Sequence, residues 1–225
     1  GKYKNNYKEG EWVWYTKEGT VEMKGSFKES KQHDTWTYYF DNGQVESIGE
    51  FAMDQREGEW KMFYKIGAKW KNGTYHNDKK DGHWQTFFED GQLLQEGDFS
   101  AGKENGLWSA WYQNGQLKDE GTYDKGIMNG SWMGYFDNGK LNYQGEQNQG
   151  KKSGTWQYGY INGKSRETGS YKNGLKEGSW EYYFDSGNLD YTTTYSSGSK
   201  DGKSVYYYPH GSKMREEIYA IDRIT

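Results

Sequence analysis

The chain has 225 residues, with 29 Lys+Arg against 33 Asp+Glu and a net charge of -4 spread along its length. No basic block is present to pair with phosphates, so nucleic acid is not expected as a partner. Aromatics make up 19%, with 22 Tyr and 11 Trp, at a mean hydropathy of -1.28. That is too polar for an ordinary globular core and too aromatic for disorder, which points to a thin sheet filled by rings. No apolar run approaches membrane-spanning length. The lack of cysteine excludes disulfides and thiolate sites and leaves the compartment open.

In chain order, residues 1–9 read as the tail of a preceding repeat, since Gly1 and Tyr3 are in frame with Gly25 and Phe27. The native protein is therefore expected to continue further towards its N-terminus. From Gly10 to residue 225 the chain forms nine tandem 24-residue units in one domain. Trp12, Trp36, Trp60, Trp84, Trp108, Trp132, Trp156 and Trp180 mark eight of them, and Ser204 takes the ninth position. A glycine stands two residues before each of these positions except in the second unit, which has Asp34, and another stands seven after. In the second unit, Thr35 to Phe40 is a predicted strand and Asn42-Gly43 a predicted two-residue type I′ turn. Gln44 to Phe51 is the returning strand and Ala52 to Glu57 a polar connection. Asn114-Gly115, Asn138-Gly139 and Asn162-Gly163 repeat the turn signal. The implied fold is all-β, an elongated, twisted single-sheet array of tandem antiparallel hairpins.

A two-residue loop would set Phe40 opposite Val45, Trp36 opposite Gly49 and Asp34 opposite Phe51. Gly49 is then expected to be the floor on which Trp36 lies. The matching couples are Gly58 with Tyr75, Gly82 with Phe99 and Gly106 with Tyr123. The last units depart, with Trp180 opposite Thr193 and Ser204 opposite Glu217, as for a C-terminal cap. The Trp side is expected to be core. The second face keeps a thinner aromatic row, Tyr15, Tyr39, Phe63, Phe87, Trp111, Tyr135, Tyr183 and Tyr207, broken at Gly159.

The pattern Gly-x-Trp-x-x-Tyr/Phe, x-Asn-Gly, Gly-x-Tyr/Phe and a Lys/Asn/Gly-rich link resembles the MORN repeat family (membrane occupation and recognition nexus). It is most similar to the bacterial variant often labelled antitoxin. The resemblance covers the whole chain. It implies hairpins stacked into an extended sheet, scaffolding and protein–protein contact, with lipid binding in some members.

No nucleophile elbow, His-Glu-x-x-His or phosphate loop occurs, so no catalytic residue, metal site or cofactor is expected. The four histidines, His33, His76, His83 and His210, fit no metal-ligand spacing. Function in a repeat array is expected on the second face and in units that break the pattern. The candidate partner contacts are Tyr39, Phe63, Trp70, Phe87, Trp111, Tyr135, Tyr183 and Tyr207. Trp70 is chosen because Lys69 and Trp70 depart from the other units. Lesser departures are Tyr143 with Gln147, and Gly159 with Ser165. The expected role is a non-catalytic scaffold for a protein partner or larger assembly. The alternative is a carbohydrate- or cell-surface-binding module using the aromatic rows.

Overall fold

The computed structural model describes residues 1–224, and among them every regular element is a strand. Twenty-one strands form one open sheet, built by antiparallel pairing of neighbours along the chain. Contacts cluster into two units, Gly1–Gly106 and a second from Leu107 onward.

In the first unit, the pair Lys31–Tyr39 and Val45–Ala52 shows how a repeat is made. Trp36 pairs with Gly49 and Asp34 with Phe51, as the sequence predicts, but Tyr39, not Phe40, pairs with Val45. The turn chemistry explains the shift. Phe40 N–H donates to Gln44 O at 2.8 Å and Gly43 N–H to Phe40 O at 2.9 Å. Of Asp41, Asn42 and Gly43, only Gly43 has a positive φ, 81°. The loop is therefore a three-residue turn ending in a left-handed glycine, not a two-residue type I′ turn. Asn42 does separate work: its Oδ1 accepts from Gln44 N–H at 3.1 Å, and its Nδ2 donates to Lys65 O of the next repeat at 2.9 Å.

The two-residue turns lie instead where a polar connection was expected. Met53 and Asp54 have φ of 53° and 73°, and the next strand begins at Gln55. Glu29-Ser30 and Asn77-Asp78 do the same. These tight turns are also stapled to the preceding repeat. Asp54 N–H donates to Gln32 O at 2.9 Å, and Asp54 Oδ1 accepts from Gln32 N–H at 2.6 Å.

The glycine two before each Trp has a different cause from the one inferred above. Gly58 and Gly82 do pair with Tyr75 and Phe99. Their φ values are 66° and 69°, and Asp34 takes the same conformation at 58°. Gly58 sits in a bulge between Glu57, which pairs with Glu50, and Lys61, which pairs with Ile48. Glycine is preferred there for its backbone, not to receive a ring.

The floor of each tryptophan also differs from expectation by one repeat. A Cβ on Gly49 would collide with Trp60, and one on Gly25 with Trp36. Each indole thus lies on the glycine of the repeat before it. Trp132, Trp156 and Trp180 lie on Gly121, Gly145 and Gly169 in the second unit. The indole N–H then reaches the carbonyl just past that glycine: Trp36 to Ser26, Trp60 to Glu50 and Trp84 to Thr74, at 3.0–3.1 Å. Between successive indoles of the first unit stands an aromatic ring edge-on. Trp36, Phe51, Trp60, Tyr75, Trp84 and Phe99 form such a ladder, with centroids 5.0–6.1 Å apart. Trp36 and Trp60 are 1% and 4% exposed, and Trp180 is fully buried.

The terminal departures follow from this offset. Ser204 puts no ring over the preceding repeat, so the glycine position there can carry Thr193. The two hydroxyls are buried against each other at 2.5 Å. Trp180 faces Thr193 in register, yet its floor is Gly169.

Candidate functional site

Once the Trp row is core, the second-face row and the irregular third repeat remain. The second-face rings Tyr39, Phe63, Phe87, Trp111, Tyr135, Tyr183 and Tyr207 are all half-buried. Their surroundings are mostly long side chains of the same face. Lys24 lies 5.7 Å from the Tyr39 ring, and Lys69 lies 5.0 Å from Phe87. The Lys24 pKa is raised, chiefly by its hydrogen bond to Tyr39. Tyr135 donates to Met133 Sδ at 3.2 Å and Tyr183 to the Glu181 carboxylate. Burial, then Glu181, pushes Tyr183 up to about 12.

Phe63 and Trp70 are the two predicted residues that one cavity brings together. It is a cleft of about 460 Å³ that also takes in Phe40, Met62 and Tyr64. That volume falls in the range of small-ligand and side-chain pockets. Trp70 is 38% exposed, and its ring lies 6.1 Å from Tyr64 at 48°. The Lys71 ammonium sits 3.6 Å from the Trp70 centroid. Burial, then the charge of Lys80, lowers the Lys71 pKa. Glu46 and Glu89 stand at the rim. Lys65, also in the lining, is held by Asp41 at 2.7 Å.

Tyr64, Phe40, Met62, Glu46 and Glu89 were not among the predicted contacts. A signal for one of them is present in the sequence. The last aromatic before each loop alternates strictly: Phe40, Tyr64, Phe88, Tyr112, Phe136, Tyr160, Phe184, Tyr208. The Tyr64, Tyr112 and Tyr160 hydroxyls donate to the Phe87, Tyr135 and Tyr183 carbonyls at 2.7–2.9 Å. Tyr64 is thus pinned to the following repeat. Its pKa is raised by burial first, then by Glu89 and Asp90.

The lesser departures are structural substitutions. Tyr143 occupies the space above Gly134, which has no side chain, and its hydroxyl bonds Asp119. Gln147 takes a ladder position, pairing with Gly130, where other repeats hold an aromatic ring. Gly159 leaves room for the Leu141 carbonyl. His76 pairs with Glu57 at 2.7 Å, and His83 lies between Asp98 and Glu96 at 2.9 and 3.2 Å. No group of three or more His, Cys, Asp or Glu suited to a metal occurs among the described residues. No helix long and apolar enough to cross a membrane occurs among them either.

Comparison with known proteins agrees with the repeat geometry. The MORN repeat variant profile matches residues 8–29, 35–52, 80–101, 104–125, 128–148 and 176–197. The longer stretches between these matches are 53–79, which contains Trp70, and 149–175. No curated protein matches. Among solved structures, the Photorhabdus luminescens Tc holotoxin pore is 13% identical with a TM-score of 0.22. The match covers 90% of this chain and 14% of that one. The TcdB2-TccC3-Cdc42 complex is 11% identical with a TM-score of 0.16, over 93% and 16% of the two chains. The chain thus spans less than a fifth of the length of these structures. With more than half of its residues matched, the chain belongs to the MORN repeat variant family.

Proposed function

We propose that the chain is a non-catalytic scaffold that presents a surface of its repeats to a protein partner. The observation that carries this reading is the third repeat. Trp70 stands half-open beside the cleft of Phe40, Met62 and Tyr64. The corresponding residues of six other repeats are polar, Glu22, Glu46, Lys118, Asn142, Arg166 and Asp190, and the remaining two are the aliphatic Leu94 and the unbranched Met214. No other repeat places a ring there. An exposed indole at a position that is otherwise mostly polar is the residue type that anchors protein interfaces. The surrounding sheet supports it rigidly. The Asn42 amide, the Asp54 turn and the Tyr64 hydroxyl each bond to a neighbouring repeat.

The core tryptophans such as Trp36, Trp60 and Trp84 are spent on glycine floors, which leaves a carbohydrate platform only the half-buried second-face rings and Trp70. The test is a stoichiometric complex with a purified candidate partner, compared between the native chain and Trp70→Gln. The substitution is expected to weaken the complex roughly tenfold, as for an interface anchor. An unchanged affinity would remove the third repeat from the interface. Saturable retention on glycans without any protein complex would overturn the scaffold reading.

A further inference from the structure

Along the Trp side, aromatic boxes recur, and several are filled by a cation from the chain itself. Arg56 lies 4.1 Å from Tyr75, and Lys80 lies 4.5 Å from both Trp84 and Phe99. In the second unit, Lys176 lies 3.8 Å from Trp180 and 5.0 Å from Tyr182. Its ammonium also bonds the Tyr182 hydroxyl at 2.7 Å and the Glu167 carboxylate at 3.1 Å. At Lys176, with Tyr195 as a third ring at 5.4 Å, the unit is thus three ring faces, a hydroxyl and a carboxylate around one ammonium, while Lys80 has two rings and Arg56 one.

The cleft of the third repeat has rings and carboxylates of the same kinds, with its lining lysine paired elsewhere. Phe40, Tyr64 and Trp70 supply rings and Met62 a polarisable thioether, with Glu46 and Glu89 at the mouth. Neither the Glu46 nor the Glu89 carboxylate has an ion pair or hydrogen-bond partner among the described residues. The lining cation, Lys65, is already engaged by Asp41. Lys71 sits on the Trp70 ring but does not line the cleft.

We propose that this cleft is an aromatic cage for a basic side chain, lysine or arginine, supplied by the protein partner. The inference rests on the scaffold reading and names the chemistry of the partner residue that it receives. Ring faces attract the cation electrostatically, and the two carboxylates complete its charge. An apolar side chain would fill the same volume but gain nothing from the two exposed carboxylates.

The test uses the full chain and two small probes, Nα-acetyl-lysine methylamide and its uncharged counterpart, Nα-acetyl-norleucine methylamide. Binding is read from the Trp70 indole N–H and Met62 methyl resonances. The lysine probe is expected to shift both saturably, and the norleucine probe to bind about tenfold more weakly or not at all. Glu46→Gln with Glu89→Gln, which keeps the rings and the reporter, is expected to remove most of that preference. Trp70→Gln, which puts a polar side chain where most other repeats have one, is expected to abolish the Met62 shift. Equal binding of the two probes, no saturable shift, or a preference that survives the double carboxamide variant would overturn the cage. The probes act on the chain alone, so their failure leaves the scaffold reading to be judged on its own partner complex.

Discussion

Replacing Gly73 by alanine tests the packing rule on which the sheet rests. A Cβ on Gly73 would fall well under 3.0 Å from the Trp84 indole carbons, closer than real Cβ atoms approach. The indole must lift, at a cost of about 1–3 kcal/mol for overpacking. Lifting it also strains the 3.0 Å bond from its N–H to Thr74 O, worth about 1 kcal/mol. Gly73→Ala should therefore destabilise by about 2–4 kcal/mol. Trp84→Ser alone should cost about 3–5 kcal/mol. In the Trp84→Ser background the glycine has nothing above it, so alanine should become neutral or stabilising by about 0.5 kcal/mol through the strand backbone. The sign of the Gly73→Ala effect thus reverses, as the natural Thr193 and Ser204 pair implies.

The assay is a double-mutant cycle in urea, with hydrogen exchange over Lys69–His76 as a local readout because repeat arrays need not unfold in one step. The cycle is repeated with Trp60, which pairs with Gly73 in register but lies on Gly49. If Trp60→Ser relieved Gly73→Ala and Trp84→Ser did not, the offset between ring and floor would be refuted.

Three further outcomes follow from the same contacts. Asn114→Asp keeps the Oδ1 that accepts from Gln116 N–H but removes the amide donor to Asp137 O at 2.7 Å, so urea stability should fall by about 1 kcal/mol and exchange should rise at the 137–139 loop. Ser204→Ala strands the buried Thr193 hydroxyl and should cost about 1–3 kcal/mol, while Ser204→Ala with Thr193→Val should recover much of it. The His76 pKa is raised above 6.5 and that of Glu57 lowered below 4.5, the first chiefly by the Glu57 hydrogen bond and the second chiefly by Asn77 N–H and then His76. The His76 contribution is complete below 6.5 and lost as pH rises through its folded value. The Glu57 contribution is present above 4.5 and lost as pH falls through its folded value. Glu57→Gln should return the His76 NMR titration towards 6.5.

The period, the strand pairs and the aromatic core were legible because a 24-residue frame repeats without a break and strand side chains alternate. Turn geometry was not, because Asn-Gly suits both a type I′ turn and the end of a three-residue loop. What separates them is the sign of φ at Asn42, a backbone property. The tight turns were hidden for the converse reason. Met53-Asp54 looks like linker, yet takes the left-handed pair on which the hairpin turns. The choice between Trp36 and Trp60 over Gly49 was not read from register: Trp36 pairs with Gly49, Trp60 lies on the strand along its other side, and the lean of the ring decides, although Thr193 beside Ser204 carried a trace of it. The predicted row of contacts named Phe63 and Trp70 but missed Tyr64, Glu46 and Glu89. Their meeting depends on how one loop folds over the next repeat.

The claim that this repeat sheet serves as a protein scaffold through its irregular third repeat is tested most directly by one affinity comparison. The native chain and Trp70→Gln are titrated with the purified partner of a stoichiometric complex. Saturable binding is expected, weakened roughly tenfold by the substitution while the urea midpoint stays unchanged. Equal affinity of the two chains would contradict it.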